Sequence, residues 1–144
     1  MNISRVALAA VAAWIVDAVY GFVVYGNLLK SEFARYPAIY RPDDSAMTFM
    51  PFLFGGILVA MFAAAYIYAK GYEGGSGVME GLRFGVCIGF LAVGYDSIVN
   101  YAVMNIGRRL AGSMAIAGLV EWIIAGVVIG LIYKPVAQAR TARA

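Results

Sequence analysis

The chain predicts an all-α fold, an integral-membrane bundle of four transmembrane helices with antiparallel neighbours, and three observations carry that prediction. Of its 144 residues, 63% are hydrophobic and 13% charged, more apolar surface than a single soluble core of this size can hide, so the surplus must face lipid. The apolar residues gather into four long runs, at 6–29, 47–69, 82–106 and 113–133, each meeting the roughly 20 residues that about 30 Å of hydrocarbon demands of a helix. Both sequence parities are apolar within each run. A barrel strand would instead alternate over about 10 residues.

The first span follows Arg5 and continues past Asp17 without a small-x-small cleavage pattern, which predicts a retained helix or signal anchor. The connection at 30–46, KSEFARYPAIYRPDDSA, mixes Phe33, Tyr36 and Tyr40 with charges and two prolines. Such a segment suits the headgroup level, as an interfacial anchor or as a cover over one mouth of the bundle. Ser45 or Thr48 is expected to cap the second helix, with Pro51 in its first turn. Lys70 and Gly71 are a helix end, and YEGGSG is a turn; it lacks the lysine of a phosphate-binding loop and follows no strand. Glu80 and Arg83 are spaced to pair across one helical turn. Gly107, Arg108 and Arg109 are expected to close the third helix, and Ser113 to cap the fourth. Connections this short favour antiparallel packing. Tyr66, Tyr68, Tyr72 and Tyr133 fall at span ends, where an aromatic belt accounts for them, and the tail at 136–144 is polar.

Within the third span, Gly81, Gly85, Gly89, Ala92, Asp96, Asn100 and Val103 share about one third of an ideal helix circumference. Glycines four apart let helix backbones approach closely in lipid, so Asp96 and Asn100 are expected to point into a helix contact. The first span repeats the pattern with Ala10, Ala13, Asp17, Gly21 and Val24, and the second supplies Gly56, Ala60 and Ala63. In the fourth, Gly118, Ala125, Gly126 and Gly130 form a small-residue face with Glu121 at its edge. Asp17, Asp96 and Glu121 therefore lie near one depth in the middle of their spans, where no lysine or arginine accompanies them. An ionised acid at the bilayer centre costs on the order of 2.5–3.5 kcal/mol. Protonation, a bound cation, a cationic solute or a water-filled vestibule would each relieve that cost. Asn100, Ser97, Asn105, Trp122, Tyr20, Tyr95 and Tyr101 are candidate hydrogen-bond partners. The plainer alternative is that the acids are structural, joining helices as protonated donors.

The net charge of +3 comes from basic residues at helix ends, a snorkelling pattern with no basic patch for nucleic acid. The chain has no histidine and one cysteine, Cys87. No intramolecular disulfide, bis-histidine haem site or usual zinc site can form, nor does any serine have a histidine to activate it. No cofactor and no catalytic residue is expected.

The segments GYEGGSGVMEGLRFG, NYAVMNIG and LVEWIIAGVVIGLIYKP resemble those of small four-span bacterial membrane proteins of unassigned function. The resemblance implies a bacterial inner membrane and adds no mechanism. The small multidrug resistance family is similar in its four helices and in an acid in the first span, here Asp17; the longer first connection and the acids Asp96 and Glu121 depart from it. Lys and Arg number six on the side of the termini and five on the other, a slight bias toward cytoplasmic termini. The expected function is binding or passage of a proton, a small cation or a cationic solute at Asp17, Asp96, Asn100 and Glu121. The alternative is an accessory subunit of a larger membrane complex, docking through Gly81, Gly85, Gly89, Gly126 and Gly130. Four short helices make a thin scaffold, so self-association or a larger assembly is expected in the bilayer either way.

Overall fold

The computed structural model describes residues 1–133, so the polar tail at 136–144 lies outside the described residues. Among the described residues there are six α-helices, five of which build four spans. The first is α1 (Ile3–Val23), extended through a π-helical turn at Val24–Leu28. A short α2 (Lys30–Phe33) sits in the connection, and α3 (Asp43–Gly71) is the second span. The third is α4 (Gly77–Ala92), a second π-helical turn at Val93–Ile98, and α5 (Val99–Val103); α6 (Arg108–Ile132) is the fourth. All four are long and apolar enough to cross a membrane.

The helices pack in the spatial order α3, α1, α6, α4. Residues 3–7 lie beside 62–66, and Trp14 Nε1 donates to the Phe54 carbonyl at 2.9 Å, so α1 and α3 are antiparallel. Alanines at 9, 10 and 13 meet Met61, Ala64 and Ala65 there. The packing face of α3 is thus set by Met61, Ala64, Ala65 and Tyr68. Gly56, expected on that face, has open space around its Cα, and Ala63 is exposed.

The seam between α4 and α6 is the tightest part of the molecule. Gly77, Gly81, Gly85 and Gly89 are all buried along α4. A Cβ on Gly85 would stand 2.5 Å from the Trp122 carbonyl oxygen, and one on Gly126 only 2.6 Å from Gly85 Cα. A Cβ on Gly130 would stand 2.9 Å from Gly81 Cα. The two backbones touch, which only glycine allows.

At the end of the bundle holding the α3–α4 loop, Tyr68, Tyr72, Phe84 and Tyr133 form a ring cluster with centroids 5.4 to 6.0 Å apart. Tyr68 and Tyr133 are therefore core residues, 4% and 3% exposed, whereas Tyr66 is open as a belt residue would be. Edge-to-face pairs of this kind contribute about 0.5–1.5 kcal/mol each beyond burial. In the adjoining loop Gly74 takes a left-handed φ of 92°. Glu80 accepts from the backbone N–H of Glu73 (3.3 Å) and of Gly75, so it tethers the loop and makes no ion pair with Arg83 among the described residues.

Helix boundaries differ from expectation at four points. The second span starts at Asp43 with Pro42 as its N-cap, so Ser45 and Thr48 lie inside α3 and neither caps it. Pro51 sits inside α3, beyond its first turn, and leaves the Met47 carbonyl without the bond that residue 51 would otherwise donate. The third span ends at Val103, and α6 begins at Arg108 with Gly107 as its N-cap. Ser113 is then an interior residue, and two arginines occupy the first turn, where the helix dipole disfavours cations. Glu32 offsets this: 7% exposed, it pairs with Arg109 at 3.0 Å and Arg35 at 3.5 Å.

Candidate functional site

Away from the ring cluster the bundle opens. The connection folds back over the start of α6, where Phe33, Tyr36, Ile39 and Tyr40 pack on Ile106, Leu110, Ala111 and Met114. Tyr36 Oη accepts the Gly107 N–H at 2.9 Å, and Tyr40 Oη lies 3.7 Å from Met114 Sδ. Beneath this roof is a cavity of about 1060 Å³ between α1, the first half of α3, the π turn of the third span and the first half of α6. Its walls are mostly apolar and aromatic, with Phe22, Phe33, Phe54 and Trp122 among them; Lys30 and Arg41 lie at the roof. Both π-helical turns border it. Wider turns of this kind are rare and gather at functional sites.

The three mid-span acids all line this cavity. Asp17, 5% exposed, lies within hydrogen-bond reach of Glu121. Tyr25 Oη donates to Glu121 Oε2 at 2.8 Å, and Tyr20 Oη donates to the Ala117 carbonyl at 2.8 Å. Two tyrosines of the first span, one in α1 and one in its π turn, thereby bind α6 at the level of the acids.

Asp96 lines the cavity from the third span, and Asn100 Nδ2 donates to its Oδ1 at 3.1 Å. The expected burial of Asp96 in a helix contact is not what forms. In the π turn each residue advances by a smaller angle than in an α-helix, so Ser97, 6% exposed, continues the glycine stripe and Asp96 swings out toward the cavity. Its charge reaches the roof. Burial first, then the negative charge of Asp96 and the neighbouring Tyr36, holds the Tyr40 phenol above the usual value of 10.0.

Of the candidate partners named from sequence, Tyr20 and Asn100 bond within this region and Trp122 and Ser97 line it, while Tyr95 and Tyr101 face outward. Tyr25, which the sequence pattern did not single out, lies four residues beyond Gly21, itself four beyond Asp17, so its spacing carries the signal. Asp17 and Glu121 come together, Asp96 does not join them, and among the described residues no three acidic, histidine or cysteine side chains converge as a metal site requires. The packing glycines 81, 85, 89, 126 and 130 all lie in the α4–α6 seam, away from the acids' side of the cavity.

Fold and site together define the class: a four-span helical membrane bundle with an acid-bearing cavity under an ordered connection. No family model matches the chain, and no curated protein or solved structure matches it.

Proposed function

We propose that the protein binds a cationic solute in this cavity and carries it in exchange for a proton. The observation that carries this reading is the meeting of Asp17 and Glu121, with Asp96 lining the same cavity, in a space lined by aromatic rings. A proton shared by two carboxyls is released when a bound cation takes over its role of offsetting their charge. Aromatic faces such as Trp122 attract cations, most strongly where water is excluded. Asn100 orients Asp96, and Tyr25 holds Glu121. In this reading the protein resides in a bacterial inner membrane with cytoplasmic termini, and a second copy or a larger assembly thickens the scaffold.

The test is proton movement driven by an organic-cation gradient in proteoliposomes, followed with a pH-sensitive dye. Glu121→Gln and Asp96→Asn are each expected to cut coupled flux about tenfold or more, since each removes a charge-assisted contact. Parental flux in both variants would sink the proposal.

One observation favours an accessory role instead. Gly55 and Gly56 on α3 have open space where a side chain would stand, and small residues facing lipid suit a partner helix. The glycines of α4 are already covered by α6, so a docking face would have to lie on α3. Co-purification of a defined membrane protein, lost on Gly56→Leu, would support that role.

A further inference from the structure

The roof is fastened along one edge. Between Leu29 and Pro42 it meets the start of α6 through Glu32, paired with Arg109 at 3.0 Å, and through Tyr36 Oη, which accepts the Gly107 N–H at 2.9 Å. The rest of that edge is the small apolar cluster around Ile106, Leu110 and Ala111, which is separate from the main core built by Ala10, Met61 and Ile129. Parting the small cluster therefore leaves the packing of the spans untouched. The ion pair is also wet on its outer side: the Arg109 and Arg35 side chains are 73% and 60% exposed around a buried Glu32, and pairs so close to water hold weakly.

At both ends the roof hangs from a residue where a helical ladder stops. Leu29, after the π turn of the first span, has φ −95° and ψ −1°; Pro42, before α3, is extended at φ −67° and ψ 154°. A few element-terminal residues of this kind absorb the rotation of a hinged segment. Between them Phe33 lines the cavity, its ring centroid 6.5 Å from that of Tyr25 and 4.8 Å from that of Tyr40. Tyr25 in turn donates to Glu121, so the roof rests directly on the ring that holds one of the acids.

We infer that the segment at 29–42 is a lid, hinged at Leu29 and Pro42 and latched to α6 by Glu32–Arg109 and by Tyr36 on the Gly107 N–H, whose release opens the cavity to the aqueous phase. Closed, it stands between Glu121 and water. Open, it lays Phe33, Tyr36 and Tyr40 at the headgroup level, where aromatic side chains are well accommodated, and it returns Glu32 to solvent. Opening thus replaces each closed contact by another of similar kind, as a reversible gate requires. The lid governs access to the acids whatever they hold, so it stands or falls separately from the cation exchange proposed above.

The experiment reads water access to one thiol beneath the roof. Gly118 lines the cavity, and a Cβ there would meet only Tyr25 Oη, at an ordinary 3.9 Å. Gly118→Cys in a Cys87→Ser background is the reporter, and Ser31→Cys, on the exposed side of the roof, is the open reference. Full-length protein in nanodiscs is treated with methanethiosulfonate ethyltrimethylammonium, whose fixed charge keeps it out of lipid, and modification is followed by intact mass. The reporter is expected to react about tenfold or more slowly than the reference, and Glu32→Ala, Arg109→Ala and Tyr36→Phe each to speed it about threefold, because modification tracks the open population. Glu32→Ala combined with Tyr36→Phe is expected to exceed either alone. Amide exchange at 77–90 is expected to stay protected in these variants, which separates a lifted lid from a loosened bundle. A reporter as fast as the reference, rates indifferent to all three latch substitutions, or acceleration accompanied by lost protection at 77–90 would each overturn the lid.

Discussion

The two ends of this bundle are built on opposite rules. Where α4 meets α6, glycine is set against backbone with no room for a methyl group, and the adjoining rings of Tyr68, Tyr72, Phe84 and Tyr133 interlock edge to face. Under the connection, helices separate, two π turns interrupt the regular ladder, Pro51 removes another hydrogen bond, and acids face a cavity. The difference teaches how a short chain holds an acid-bearing space among apolar helices. Close packing at one end leaves the other free to stay apart, since helices fixed in one place need not be fixed along their whole length.

The seam is where the contrast breaks most severely. Gly126→Val would drive a branched side chain into Gly85, whose Cα stands 2.6 Å from even a first carbon. Because the obstruction is backbone, relief requires the helices to part, and a loss of about 3 kcal/mol or more is expected. Thermal unfolding in mild detergent measures it. The same substitution at Gly55, where nothing lies within 4 Å, is expected to leave the melting temperature within a degree or two of the parent; equal losses at both positions would erase the distinction between the two regions.

A smaller effect is expected at the roof. Glu32→Ala removes the carboxylate shared by Arg35 and Arg109, but the arginine side chains are 60% and 73% exposed, so the cost should be about 1 kcal/mol or less. Amide hydrogen exchange should accelerate across 30–42 while 77–90 keeps its protection. Acceleration spread evenly over both segments would mean that the roof and the seam open as one unit.

Tyr68→Phe should do least, and in the opposite direction. The Tyr68 hydroxyl is buried without a hydrogen-bond partner among the described residues, so deleting it while keeping the ring relieves a desolvated group. Stability is expected to hold or to rise by up to about 1 kcal/mol. A clear loss would reveal a partner for that hydroxyl, such as bound water in the ring cluster.

The four spans and the α4 glycine stripe were legible because both depend on short-range repetition: length of apolar run and spacing of small residues. Asp96 was misplaced because an ideal helical wheel has no knowledge of a π turn, and nothing in VGYDSI announces one. Tyr68 and Tyr133 stand at span ends, a position that by itself predicts a lipid interface; only the convergence of three helices and a loop makes them core. Glu32 carried no signal at all, as its partner Arg109 lies far along the chain and its burial follows from the folding of the connection. The meeting of Asp17 with Glu121 was legible as a shared depth, while the separation of Asp96 from that pair was not, because depth says nothing about angle.

Asp17 and Glu121 belong to the first and last spans to leave the ribosome. Until α6 arrives, Asp17 has neither its carboxyl partner nor the α6 surface that buries it. Non-local contacts of this kind form late because the intervening chain must first be closed into a loop. The pairing of the two acids therefore waits on the packing of α6 against α1, and the last span to be made is the one that completes the burial of a carboxyl in the first.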